Sequence, residues 1–186
     1  MFYPAQPEVL RAQILGFLAE AEPGVRPHED APKALIAPHA GTVYSGPVAA
    51  SAYARLRAMA GRVERVVLLG PSHRVAMRGL AAPSVDAFDT PLGAVPVDVE
   101  AVADLVARGL VHVDDEAHRR EHSLEVHLPF LQAVLPTFKL VPLVVGPCPP
   151  SEVSAALDAV WGGPETLIVV SSDLSHYHPY LEARAL

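Results

Sequence analysis

Arg65-Val66-Val67-Leu68-Leu69-Gly70-Pro71-Ser72-His73 is a β-branched and leucine-rich run that breaks abruptly into glycine, proline and histidine. A strand with one wet face alternates apolar and polar residues. A run without alternation predicts a strand covered on both faces, as in a parallel sheet. The same pattern recurs on either side of it. Ala34 to Ala37 breaks into Pro38-His39-Ala40-Gly41, and Leu167 to Val170 breaks into Ser171-Ser172-Asp173-Leu174-Ser175-His176.

Helical periodicity fills the intervals. Glu8 to Ala21 carries Val9, Ile14, Phe17 and Leu18 mostly on one stripe and stops at Pro23-Gly24; Gly46-Pro47 opens a helical stretch through Met59. Asp98 can cap a helix from Val99 to Ala107 that Gly109 ends, and Ser151 to Trp161 is another. Leu124, Leu128, Leu131 and Leu135 recur at helical steps, so Ser123 to Leu135 reads as one helix, kinked by Pro129. Leu110 to Val113 and Leu140 to Val145 are strands, Gly79 to Val97 an edge hairpin turning at Asp89 to Gly93, and Asp114 to Glu121 a charged loop. Strands alternating with helices predict an α/β fold: a mostly parallel sheet with helices on both faces.

Composition narrows the function classes. The chain has 186 residues, enough for one domain, with 51% hydrophobic and 19% charged residues and no apolar run long enough for a membrane span. A formal net charge of −7 with scattered basic residues disfavours nucleic acid as a partner. One cysteine, Cys148, and an amino terminus without a signal pattern point to a reducing, cytoplasmic setting. The absence of asparagine, a low glutamine content and proline-rich loops hint at a thermophile, although scarce lysine runs against that signal.

In open parallel sheets ligands bind beyond the carboxyl ends of the strands. His39, His73 and His176 with Asp173 all fall there, and imidazoles with a carboxylate can hold a divalent ion while leaving positions open. For any one histidine alone, a hydrogen bond within its own turn is the simpler explanation; three in the same topological position weaken it. His122 and Glu125, three apart, suit a metal or proton-transfer pair, with helix capping by Ser123 an equally good account. His28, His112, His118 and His178 read as solvated, and His127, against the leucine stripe, as half-buried packing. Ser72, Ser171 and Ser172 lie outside any Gly-x-Ser-x-Gly elbow, which argues against serine nucleophile chemistry.

Taken together, Phe2-Tyr3-Pro4, Pro38-His39-Ala40-Gly41 with Tyr44-Ser45-Gly46, Gly70-Pro71-Ser72-His73, Glu121-His122-Ser123-Leu124-Glu125-Val126-His127-Leu128-Pro129-Phe130 and Ser171-Ser172-Asp173-Leu174-Ser175-His176 resemble the MEMO family, known in prokaryotes as AmmeMemoRadiSam system protein B. The resemblance implies a fold related to the LigB-type class III extradiol dioxygenases. It implies a site for iron or copper, with zinc as a third option, in which His39 and His73 are ligands and His122, Asp173 and His176 are catalytic. Gly41, Tyr44, Ser72, Glu121 and Ser172 then line the pocket. It further implies a small-molecule or phosphorylated ligand, and partnership with a radical SAM protein and an AMMECR-type protein. Two departures stand out: Thr42 replaces the usual aromatic, and the family's third ligand, a cysteine, belongs to a carboxyl-terminal part beyond Leu186, so the chain reads as shortened. Cys148 does not match it.

The leading expectation is a metal-binding, redox-active protein. A binding module for an anionic or phosphorylated ligand is the alternative, since loop amides and helix amino termini suit anions. A metal-assisted hydrolase comes third.

Overall fold

A computed structural model describes residues 2–22 and 32–185; His28 and the helix stop at Pro23-Gly24 lie outside them. The strands are β1 (Ala34–Ala37), β2 (Arg65–Pro71), β3 (Leu80–Ala82), β4 (Ala87–Thr90), β5 (Gly93–Pro96), β6 (His112–Val113), β7 (Lys139–Val145) and β8 (Thr166–Ser171). Six of them form one sheet in the order β1-β8-β2-β7-β3-β6, parallel at every pairing except the antiparallel β3–β7.

The unalternating run in β2 behaves as its composition requires. Val66 and Leu68 enter one hydrophobic layer and Val67 and Leu69 the other. Helices α1 (Pro7–Ala21), α2 (Thr42–Tyr53) and α5 (Leu128–Val134) cover the first layer through Leu10, Ile14, Leu18, Tyr53 and Phe130. Helices α3 (Val99–Ala107) and α6 (Pro150–Val160) cover the second through Leu105 and Ala156. Both faces of the sheet are therefore dry, and no described helix is long and apolar enough to cross a membrane.

Local structure departs from the sequence reading in five places. Helix α2 begins at Thr42, and Gly46 is not its opener: a Cβ there would sit 2.4 Å from Phe17, so the glycine lets α1 and α2 approach. Residues 54–59 tighten into a 3-10 segment. The charged loop holds a short helix α4 (Asp115–Arg119), because the Asp114 carboxylate accepts hydrogen bonds from the amides of Glu116 (3.0 Å) and Ala117 (3.1 Å). The expected kinked helix is a 3-10 turn, Glu125–His127, followed by α5. Pro129 falls in the first turn of α5, where its missing N–H had no intrahelical partner to lose. The edge hairpin divides: β3 joins the main sheet, while β4 and β5 pair as a separate ribbon.

Register fixes what the carboxyl ends present. Ala37 lies opposite Ser171 and Leu69 opposite Val170, so the loops after β1, β8 and β2 leave the sheet at one level and side by side.

Candidate metal centre

The loops after β1 and β2 and the segment Glu121–Leu124 meet above the sheet and bring three imidazoles together. His39, His73 and His122 each offer a ring nitrogen, and these nitrogens lie within 4.8 Å of one another. Ring centroids are 5.2 Å apart for His39 and His73, 5.7 Å for His39 and His122, and 4.8 Å for His73 and His122. Exposure is graded across the cluster, with side-chain accessibility of 5% at His39, 16% at His122 and 39% at His73. The opening is therefore on the His73 side.

Segment 121–124 reaches the site because β2 ends in glycine. A Cβ at Gly70 would come within 2.8 Å of both Leu124 Cδ2 and Ser123 Oγ, so only glycine permits this approach. Ser123 does not cap a helix; its hydroxyl donates to the Pro71 carbonyl at 2.8 Å, pinning the segment to the β2 tip.

Two of the imidazoles have assigned tautomers. Ser171 Oγ lies 2.6 Å from the Ser123 carbonyl, which can only accept, so the one hydroxyl proton goes there. The 2.6 Å contact between Ser171 Oγ and His39 Nδ1 must then be a bond donated by the ring, leaving a lone pair on His39 Nε2. His73 Nδ1 is 2.9 Å from Glu121 Oε1. Burial pushes the Glu121 carboxyl up, but hydrogen bonds from the His73 ring and amide and from the amides of Ser123 and His122 outweigh it and hold the group at about 2. An ionised carboxylate only accepts, so His73 also donates from Nδ1, which in the neutral ring leaves the lone pair on Nε2. Burial lowers the affinity of His39 and His122 for protons in spite of the nearby carboxylates, which favours the neutral rings a metal needs.

Hydrogen bonding at His122 is different. Its Nδ1 is buried without a hydrogen-bond partner among the described residues, although Glu121 Oε1 is 3.2 Å away. A donor set of two oriented imidazoles and one ring with an unsatisfied buried nitrogen fits a bound divalent ion.

Other sequence-derived candidates fall elsewhere. His176 is not part of the cluster: it is 56% exposed on the loop after β8, with Nε2 3.3 Å from Asp173 Oδ2. Asp173 links His176 to His39, its Oδ2 lying 3.8 Å from His39 Nε2 and 3.3 Å from His176 Nε2. Asp173 is next to the cluster, accepting from the His39 amide at 2.7 Å through Oδ1 and lying 3.8 Å from His39 Nε2 through Oδ2. Tyr44, Ser172, Asp173 and His176 line an adjoining groove of about 390 Å³. Gly41 precedes α2, Ser72 holds its own turn by donating to the Val75 carbonyl at 2.7 Å, and Glu125 accepts from Tyr3 Oη at 2.5 Å, so no hydrogen bond pairs Glu125 with His122. His118 is half-buried, with Nε2 3.0 Å from the Ala81 carbonyl, which corrects its reading as solvated. His127 is wholly buried against the Tyr53 hydroxyl, not half-buried.

Sequence reasoning missed Ser171 as the anchor of His39, Gly70 as the space for segment 121–124, and Phe2, whose ring stacks on His122. The consecutive Glu121-His122-Ser123 triplet was the one available signal, since all three groups turn out to serve the site.

Comparison with known proteins places this arrangement in context. The profile of the Memo-like protein family matches residues 1–185. A MEMO1 family protein of Aquifex aeolicus is 38% identical over 187 residues, covering 98% of this chain and 67% of the relative. A counterpart from Methanopyrus kandleri is 39% identical, covering 98% and 69%, and one from Sulfolobus acidocaldarius is 35% identical, covering 96% and 68%.

Proposed function

This chain belongs to the Memo-like protein family, and from that premise we propose that it binds a redox-active metal ion, iron or copper, through His39, His73 and His122. One observation carries the reading: His39, His73 and His122 offer ring nitrogens within 4.8 Å of one another, and Nδ1 of His39 and of His73 is engaged by Ser171 and Glu121. A merely structural role for these histidines would not call for three imidazoles converging at the mouth of a parallel sheet, two of them oriented through Nδ1 by Ser171 and Glu121. Such an ion supplies one-electron chemistry and an attachment point for a small oxygen-bearing ligand.

The protein's own groups do the rest. Glu121 and Ser171 orient His73 and His39. Asp173 and His176, at 3.3 Å, form an outer pair that can take up or release a proton beside the cluster. Half-exposed His73 marks the side from which ligand enters.

The test is metal content and affinity. Purified protein loaded with iron(II), copper(II) or zinc(II) is measured by elemental analysis and competition against a chelator, for the parent and for His39→Ala, His73→Ala and His122→Ala. One equivalent bound by the parent and lost in each variant is expected. Equal binding by all four proteins sinks the reading.

A further inference from the structure

We infer that Phe2 is the positioning residue of the third imidazole, holding His122 in the plane from which it faces His39 and His73. The inference rests on the metal-site reading above and deepens it. His39 and His73 are each oriented by a hydrogen bond at Nδ1, whereas His122 Nδ1 has no such bond among the described residues. An imidazole on a free χ2 torsion samples a broad range of orientations, so something other than a hydrogen bond must fix this one.

Phe2 is in the position to do so. Its ring lies parallel to that of His122, with centroids 3.9 Å apart and 11° between planes, while His73 stacks on His122 at 4.8 Å and 26°. His122 is thereby constrained by two neighbouring rings. Stacking fixes a plane without engaging a ring nitrogen, and so leaves the ring's one lone pair for a ligand.

The arm that carries Phe2 is itself anchored. Its backbone carbonyl accepts from the Thr42 amide at 2.8 Å, at the start of α2. The next residue, Tyr3, donates from its hydroxyl to Glu125 at 2.5 Å, directly after the segment that bears His122. Phe2 therefore joins the start of α2 to the segment that bears His122, although Phe2, Thr42 and His122 lie far apart in the chain.

The experiment uses cobalt(II) alone as the probe, because its visible absorption reports coordination number and its titration reports affinity. The parent, Phe2→Ala, Phe2→Leu and Phe2→Trp are titrated, and the His122 ring protons are followed by NMR in the metal-free proteins. The parent should show those protons shifted upfield by the Phe2 ring current. Phe2→Ala and Phe2→Leu should lose that shift, bind cobalt about tenfold more weakly, as expected for loss of a group that orients a ligand, and give a weaker, six-coordinate spectrum. Phe2→Trp should retain all three properties. Phe2→Leu keeps the apolar volume and guards against simple loss of folding in Phe2→Ala.

If Phe2→Leu loses the ring-current shift yet binds cobalt with the parent's affinity and spectrum, the positioning role is overturned while the metal site stands. If the parent itself takes up no cobalt, the metal reading falls and this inference with it.

Discussion

Two regions at the same edge of the sheet carry the same residue types and use them differently. The tip of β2 with the segment 121–124 has a carboxylate, Glu121, and two histidines; the loop after β8 has a carboxylate, Asp173, and His176. Glu121 has a side chain only 1% exposed and accepts four hydrogen bonds, from the His73 ring and from the amides of His73, His122 and Ser123. Asp173 is 13% exposed and accepts one, from the His39 amide. The first region delivers both of its histidines to the cluster, and the second leaves His176 in solvent. Standing at a strand tip does not therefore bring a histidine into the cluster. A buried acceptor that fixes its ring, and a gap in the backbone that lets it approach, are what bring it in.

The most severe way to break this contrast is Glu121→Ala. It strands three buried amide donors and frees the His73 ring, so we expect a loss of more than about 3 kcal/mol in urea unfolding together with loss of metal binding. The same carboxyl sets an acid limb. Its folded value of about 2 is below the ordinary 4.5, so its contribution is complete above pH 4.5 and disappears as pH falls through 2. Glu121→Gln should flatten that limb in a stability-versus-pH series; an unchanged limb means the carboxylate is not the anchor.

Gly70→Ala tests the gap. Its new methyl would meet Leu124 and Ser123 at 2.8 Å, and we expect a cost of about 1–3 kcal/mol with weakened metal affinity as segment 121–124 is pushed outward. Ser171→Ala tests the tautomer. Without the hydroxyl His39 can place its proton on Nε2, and metal affinity should fall about tenfold in chelator competition while the protein stays folded.

The smallest effect belongs to the second region. His176→Ala should change unfolding free energy by no more than about 0.5 kcal/mol and leave metal affinity within about twofold, because this ring is exposed and outside the cluster. A drop as large as that of Ser171→Ala would show that the β8 loop closes on the ion and would erase the contrast.

Much of this was legible in the chain. The unalternating β2 run implied a sheet covered on both faces, and the loops after β1 and β2 were readable as the origin of His39 and His73, because strand ends and ligand sites coincide in parallel sheets. His176 was grouped with them by the same logic, and the logic does not tell a ring that joins the cluster from one left exposed beside it. His122 read as one half of an i, i+3 pair with Glu125, but the 3-10 turn begins only at Glu125, and that carboxylate turns to Tyr3.

Sequence by itself determined the layered architecture, the end of the sheet at which the histidines gather and two of the three clustered imidazoles, since each follows from local hydrophobic pattern and chain direction. Only the tertiary structure decided the third imidazole and the partners that anchor the other two. Those depend on contacts such as Ser171 with His39 and Phe2 with His122, which span more than a hundred residues and are set by strand register and by the space a single missing Cβ leaves at Gly70.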